Sequence, residues 1–123
     1  MVKLFILNQK CEMRKRIDIL KDLVSYTKDL SALKRELSYY SWDTEKSYLT
    51  ITKHQLLNVL MKCIDQTITF QNLEDWADAI ECRDDLDFEN EEIQEIIFEL
   101  SSPEINGKIT KNRLNEIVNN LSK

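Results

Sequence analysis

The chain contains very little glycine and proline. Its 123 residues include one Gly and one Pro. Sandwiches and barrels of β-strands use many tight turns, and turns consume both residue types. A Rossmann fingerprint or a P-loop needs two or three glycines within a few residues. The composition therefore excludes these two nucleotide sites and disfavours an all-β fold.

Cysteine and histidine are also scarce. The three cysteines, Cys11, Cys63 and Cys82, are odd in number and show no C-x-x-C spacing. This usage disfavours a disulfide framework and indicates a reducing compartment, so we expect a cytoplasmic protein. His54 is the only histidine, and no Ser or Cys stands at a recognised catalytic spacing from it. A zinc site would need three or four ligands from this histidine and the three scattered cysteines, which disfavours zinc. We expect His54 to be exposed and structural, and we expect no cofactor.

Long apolar runs are missing as well. The run Leu4–Leu7 is too short for the h-region of a secretory signal. No stretch approaches the ~20 apolar residues of a membrane span. We therefore expect neither a signal peptide nor a membrane partner.

Positive charge is nearly absent from the middle of the chain. Residues 1–66 carry 12 Lys/Arg and 8 Asp/Glu, whereas residues 67–105 carry 13 Asp/Glu against Arg83 alone. Residues 106–123 carry four bases and one acid, and the whole chain has a net charge of −5. An acidic surface repels nucleic acid and attracts basic partners. The alternative interpretation is a set of solvated helix faces with no specific partner.

The pattern Ile-Thr-x-x-x-Leu occurs three times and marks helix starts. Thr52, Thr69 and Thr110 each follow an Ile and precede a Leu by four positions. Thr at the N-cap satisfies a free backbone N–H, and the flanking Ile and Leu form a hydrophobic staple. Thr52 and Gln55 are also spaced as a capping box. Thr27 is the expected N-cap of an earlier helix.

Apolar residues at spacings of three and four extend these starts into helices. The predicted helices lie at 13–26, 28–40, 53–65, 70–82, 90–101 and 111–121, and the first two could instead be one helix with a kink near Ser25–Thr27. Those at 70–82 and 90–101 should bury Leu73, Trp76, Ala77, Ile80, Ile93, Ile96, Ile97 and Leu100. We predict an all-α fold, a single-domain bundle of five or six short helices over residues 1–123. Residues 1–12 are interpreted as a loosely attached extension that contains a short strand or helical turn at 2–7.

Residues 41–51 lack helical periodicity, and an ordered loop is favoured there over a hairpin. Tyr39, Tyr40, Trp42 and Tyr48 flank or occupy this segment. We favour a lid of these aromatic residues packed over the bundle, and an exposed aromatic cluster that acts as a binding anchor is the alternative.

The acidic run Asp84–Glu89 does not fit a calcium loop. In an EF-hand alignment Asn90 stands where Gly is required, and Ile96 stands where the bidentate Glu is required. Glu81-x-x-Asp84 and Glu91-Glu92-x-x-Glu95 are similar to the two halves of the helical nucleotide pyrophosphatase pattern, in reversed order. A carboxylate-metal hydrolase is therefore the less favoured alternative function.

Four stretches carry a resemblance to a known group of proteins. They are Tyr40-Ser-Trp42-Asp43, Leu49–Thr52, Trp76–Asp85 and Phe98–Ile105. Over residues 14–121 the chain resembles small helical bacterial proteins, some of them immunity proteins of toxin–immunity systems, including contact-dependent growth inhibition. The most specific stretch is Trp76–Asp85.

The resemblance implies a protein that binds a cognate toxin stoichiometrically and is not an enzyme. Many such toxins are nucleases with a basic cleft, which an acidic helix surface can occupy. At helical spacing Glu74, Asp78 and Glu81 share one face. The expected toxin-binding residues are Glu74, Asp75, Asp78, Glu81, Asp84, Asp85 and Asp87, with Glu91, Glu92 and Glu95 behind them. The alternative is an interaction or regulatory module whose acidic face only maintains solubility, and in neither case is nucleic acid a partner.

Overall fold

Helices dominate residues 14–40 and 47–122, which are the part of the chain that the computed structural model describes. The helices are α1 (Arg16–Ser25), α2 (Leu30–Leu37), α3 (Lys53–Ile64), α4 (Phe70–Glu81), α5 (Glu91–Ser101), α6 (Pro103–Asn106) and α7 (Lys111–Leu121). The predicted helical fold class is confirmed. None of the described helices has both the length and the apolar character that crossing a membrane requires. The predictions for residues 1–12 and for Trp42 lie outside the described residues.

Threonine caps begin three helices, as predicted. The hydroxyls of Thr52, Thr69 and Thr110 each accept a hydrogen bond from the backbone N–H three residues later, at 2.9–3.2 Å. The side chain of Gln55 accepts a bond from the backbone N–H of Thr52 at 3.0 Å, which completes the expected capping box. Asn72 does the same for Thr69, a second box that was not predicted. These local bonds set where α3, α4 and α7 start.

The first two helices are shorter than predicted. α1 ends where Tyr26 adopts the left-handed conformation, with φ of 50°. The cap of α2 is Asp29, whose carboxylate accepts a bond from the Ala32 N–H at 3.1 Å, and not Thr27. The Thr27 hydroxyl instead donates to Asp22 at 3.0 Å. Asp29 competes successfully because a carboxylate is a stronger acceptor than a hydroxyl.

One continuous apolar core joins the helices. All eight residues predicted to be buried on α4 and α5 are buried. The Trp76 indole is fully buried, and its N–H donates to the main-chain carbonyl of Leu23 at 2.7 Å, which ties α4 to α1. α4 has its most extensive packing against α5. The packing of α4 against α5 therefore fixes the backbone positions of the residues on the outer side of this helix pair.

Two short strands pair where only loops were predicted. β1 (Leu49–Ile51) and β2 (Leu86–Phe88) run parallel, with Leu49 opposite Leu86 and Ile51 opposite Phe88. A parallel pair needs a long crossover connection, which α3 and α4 provide here. The expectation of a loop over residues 41–51 was wrong at Leu49–Ile51, because the partner of this strand lies far along the chain. Residues 41–46 of that loop lie outside the described residues.

Candidate functional site

Acidic side chains from two packed helices lie next to one another at the surface. Asp78 and Glu81 are exposed on α4, where Glu74 is half-buried, and Glu91 and Glu95 are exposed on α5. We call these five residues the acidic face. Glu81, Glu91 and Glu95 line one depression of about 310 Å³ between the helices. Tertiary packing therefore brings together the two acidic segments that the sequence places ten or more residues apart.

The carboxylates of the acidic face form no ion pair with the described residues. Within residues 14–40 and 47–122, no Lys or Arg lies within 4 Å of its carboxylate oxygens. Ion pairs of the described chain engage other carboxylates, namely Asp22, Glu36, Asp85, Glu99 and Glu116. Carboxylates that are unpaired and solvated retain their attraction for a basic partner.

An exposed aromatic ring lies within the acidic face. Phe98 of α5 lines the same depression as Glu81 and Glu95, and 44% of the residue is exposed. Aromatic side chains surrounded by polar groups frequently anchor interfaces. Phe98 was not among the predicted binding residues, although a signal was present. It falls outside the apolar stripe of its helix, which is typical of a large apolar residue on the solvent side.

The remaining predicted binding residues differ in their placement. Asp84 is exposed in the connection from α4 to β2, and Asp87 is exposed at the centre of β2. Asp75 is half-buried, and its carboxylate accepts a hydrogen bond from the Gln71 amide at 3.0 Å. Glu92 is exposed near the start of α5. Asp84 and Asp87 thus extend the acidic surface at one end.

Asp85 does not belong to that surface, and its prediction as a partner-binding residue is wrong. It is 0% exposed, and its carboxylate accepts two hydrogen bonds from the Arg83 guanidinium at 2.8 and 2.7 Å. Its main-chain carbonyl also accepts a bond from the Tyr48 N–H at 2.8 Å, which adds to the parallel pairing. The strand pairing turns Asp85 inward while Asp84 and Asp87 stay in solvent.

A second arginine completes this buried charge cluster. The Arg16 guanidinium lies 3.8 Å from the Asp85 carboxylate, between the rings of Tyr40 and Tyr48, whose centroids are 5.1 and 4.6 Å away. Two of the four aromatics near residues 41–51 therefore hold an arginine by cation–π contacts. Tyr39, by contrast, is 70% exposed.

The described residues show no carboxylate arrangement suited to a metal. Among them, no group of three His, Cys, Asp or Glu side chains is placed to hold an ion. His54 is exposed on α3, as predicted. Burial raises the pKa of the Cys82 thiol, and the negative charges of Asp78 and Glu81 raise it further. Cys82 is consequently kept protonated and weakly nucleophilic.

No family model, curated protein or solved structure matches the chain. The acidic face is an anionic surface on two packed helices, without ion pairs among the described residues and with an aromatic ring within it. Such a surface is suited to binding a basic macromolecule.

Proposed function

We propose that the protein is a cytoplasmic immunity protein that binds the basic domain of a toxin, a nuclease, through the acidic face. The observation that supports the proposal is the set of exposed carboxylates on α4 and α5 that form no ion pair within the described chain. The protein acts by occupying the toxin and catalyses no reaction.

Electrostatics gives this surface two functions. A field of one sign accelerates the encounter with an oppositely charged partner, by 10- to 1,000-fold in typical cases. The same charges select against acidic partners, because like charges meeting at an interface cost several kcal/mol. The Lys and Arg side chains of a nuclease cleft attract the phosphates of its substrate. Carboxylates on the surface of the immunity protein compete for the same basic side chains.

Packing adds the affinity that charge alone does not supply. Exposed ion pairs contribute little each, about 0–1 kcal/mol. Phe98 provides an apolar anchor surrounded by carboxylates, which is the typical composition of an interface hot spot. Because α4 and α5 are packed helices, their backbone loses little freedom on binding.

The test is binding of the toxin domain encoded next to this protein's gene. We expect a 1:1 complex, measured by calorimetry, whose affinity falls as salt rises. The double variant Asp78→Lys/Glu81→Lys should weaken binding by roughly 10- to 100-fold, mainly through a slower association rate. Asp18→Lys makes the same kind of charge change at an exposed residue of α1 that lies outside the acidic face and forms no ion pair within the described chain, and it should leave binding nearly unchanged.

A third variant separates the anchor from the charge. Phe98→Ala should raise the dissociation rate and leave the salt dependence as it is, because it removes no charge. Absence of any complex would refute the proposal. A complex that the double variant forms as tightly as the natural sequence would instead support a regulatory module whose acidic face serves solubility.

A further inference from the structure

A largely apolar groove opens on the other side of α4, away from α5. It has a volume of about 800 Å³ and lies between α4 and α2. Leu23 and Leu37 form its buried floor, and Tyr40, Ala79 and Cys82 are among its walls. Its charged lining residues are Lys34, Asp78 and Arg83. Clefts of roughly 300–1,000 Å³ with such linings usually hold an apolar ligand or side chains.

The described chain begins at the edge of this groove. The main-chain carbonyl of Arg14 accepts a hydrogen bond from the Tyr40 hydroxyl at 2.5 Å. The Arg14 guanidinium donates two more bonds to Glu36 of α2, both at 2.8 Å. Arg14 is therefore fixed beside α2 and beside a residue that lines the groove, so the preceding residues are tethered there.

The tethered residues include a run that needs cover. Leu4–Leu7 is a stretch of four consecutive apolar side chains. Four exposed apolar residues in a row promote association or bind a partner, unless they are covered. Seven peptide units join Leu7 to Arg14, and at ~3.3–3.6 Å each they reach at most roughly 25 Å.

We propose that the groove between α2 and α4 takes the Leu4–Leu7 run of the same chain. The tether supports this assignment, because a short linker holds its ligand at an effective concentration in the millimolar range. The run occupies the Leu23–Leu37 floor and shields the Cys82 thiol. No residue of α5 lines this groove, and the groove shares only Asp78 with the acidic face.

Disulfide trapping tests the proposal with the whole chain. The variant Asn8→Cys/Cys11→Ser places a thiol directly after the apolar run and retains Cys82 in the groove and the buried Cys63. With oxidised glutathione as the oxidant, we expect a monomeric product 2 Da lighter that dithiothreitol reverses. The matched control retains Asn8→Cys and Cys11→Ser but replaces Cys82 by Ser. Its second thiol comes from Asn119→Cys on α7, a helix that packs against α3. The control should form the product at least tenfold more slowly.

A second measurement does not depend on a new thiol. In the Cys11→Ser background, Phe5→Asp should increase the alkylation rate of Cys82 several-fold, whereas Phe5→Leu should not. Trapping at the rate of the control, together with an unchanged alkylation rate, would refute the proposal. A disulfide-linked dimer as the main product would also overturn it, since the groove would then bind the run of a second copy.

Discussion

Replacing Asp85 by Asn tests whether the buried charge cluster holds the strand pair in place. The variant keeps the size of the side chain and removes its charge. The residue is 0% exposed, and the side chains of Arg83 and Arg16 are 12% and 13% exposed. Two arginines would then remain in a mostly buried site without their counterion.

The expected loss of stability is about 3 kcal/mol. Removing one partner of a buried ion pair typically costs about 3–5 kcal/mol, because the other charge is left uncompensated. The lower end applies here, since the Asn oxygen still accepts one Arg83 bond and both arginines retain some contact with water. For a domain of this size, the melting temperature should fall by roughly 10–15 °C.

The assay is urea unfolding followed by circular dichroism, with the slope of the transition checked for change. Asp84→Asn is the matched control, because this neighbouring carboxylate is exposed and is in no ion pair of the described chain. It should change stability by no more than ~0.5 kcal/mol. An Asp85→Asn variant that is as stable as this control would refute the reasoning. In a double-mutant cycle with Arg83→Met, the two losses should be clearly less than additive.

Two further predictions concern local interactions. Thr69→Ala should lower the free energy of unfolding by about 1 kcal/mol, because the hydrogen bond from the Asn72 N–H to the cap hydroxyl is lost. Urea titration measures this loss, and Thr69→Ser, which keeps the hydroxyl, should retain most of the stability. Hydrogen bonds from Arg14 lower the pKa of Glu36 below its ordinary value of 4.5, so the pair stabilises the fold above that pH and loses this contribution as the pH falls through the lowered pKa. Glu36→Gln should cost about 1 kcal/mol at pH 7, since both side chains are partly exposed, and this cost should decrease as the pH falls from 4.5 through the lowered pKa, measured by urea unfolding at a series of pH values.

Helix starts were predictable because they depend on neighbours in the chain. A threonine hydroxyl reaches only the N–H groups two or three residues later, so the cap and the helix it begins lie within one short window. The apolar stripes of α4 and α5 are local in the same sense, because residues three and four apart share a helix face. Thr27 shows the limit of this reasoning, since a stronger acceptor, Asp29, lay two residues beyond it.

The candidate site was predictable only in part. The carboxylates of α4 were selected from their spacing, but their grouping with Glu91 and Glu95 requires that α4 pack against α5. Phe98 was overlooked because its neighbours on the surface come from another helix as well as its own. An anchor and its charged surroundings become visible together only when the two helices are placed side by side.

Asp84 and Asp85 show most clearly which properties the sequence determined and which the tertiary structure decided. Composition and spacing by themselves determined a glycine-poor helical fold with its charge concentrated in residues 67–105. They did not separate two adjacent aspartates, one exposed and one fully buried. That separation depends on parallel pairing with β1 and on Arg16, which are tens of residues away in the chain. Burial of a charge depends on the partners that compensate it, and only the folded chain brings such partners together.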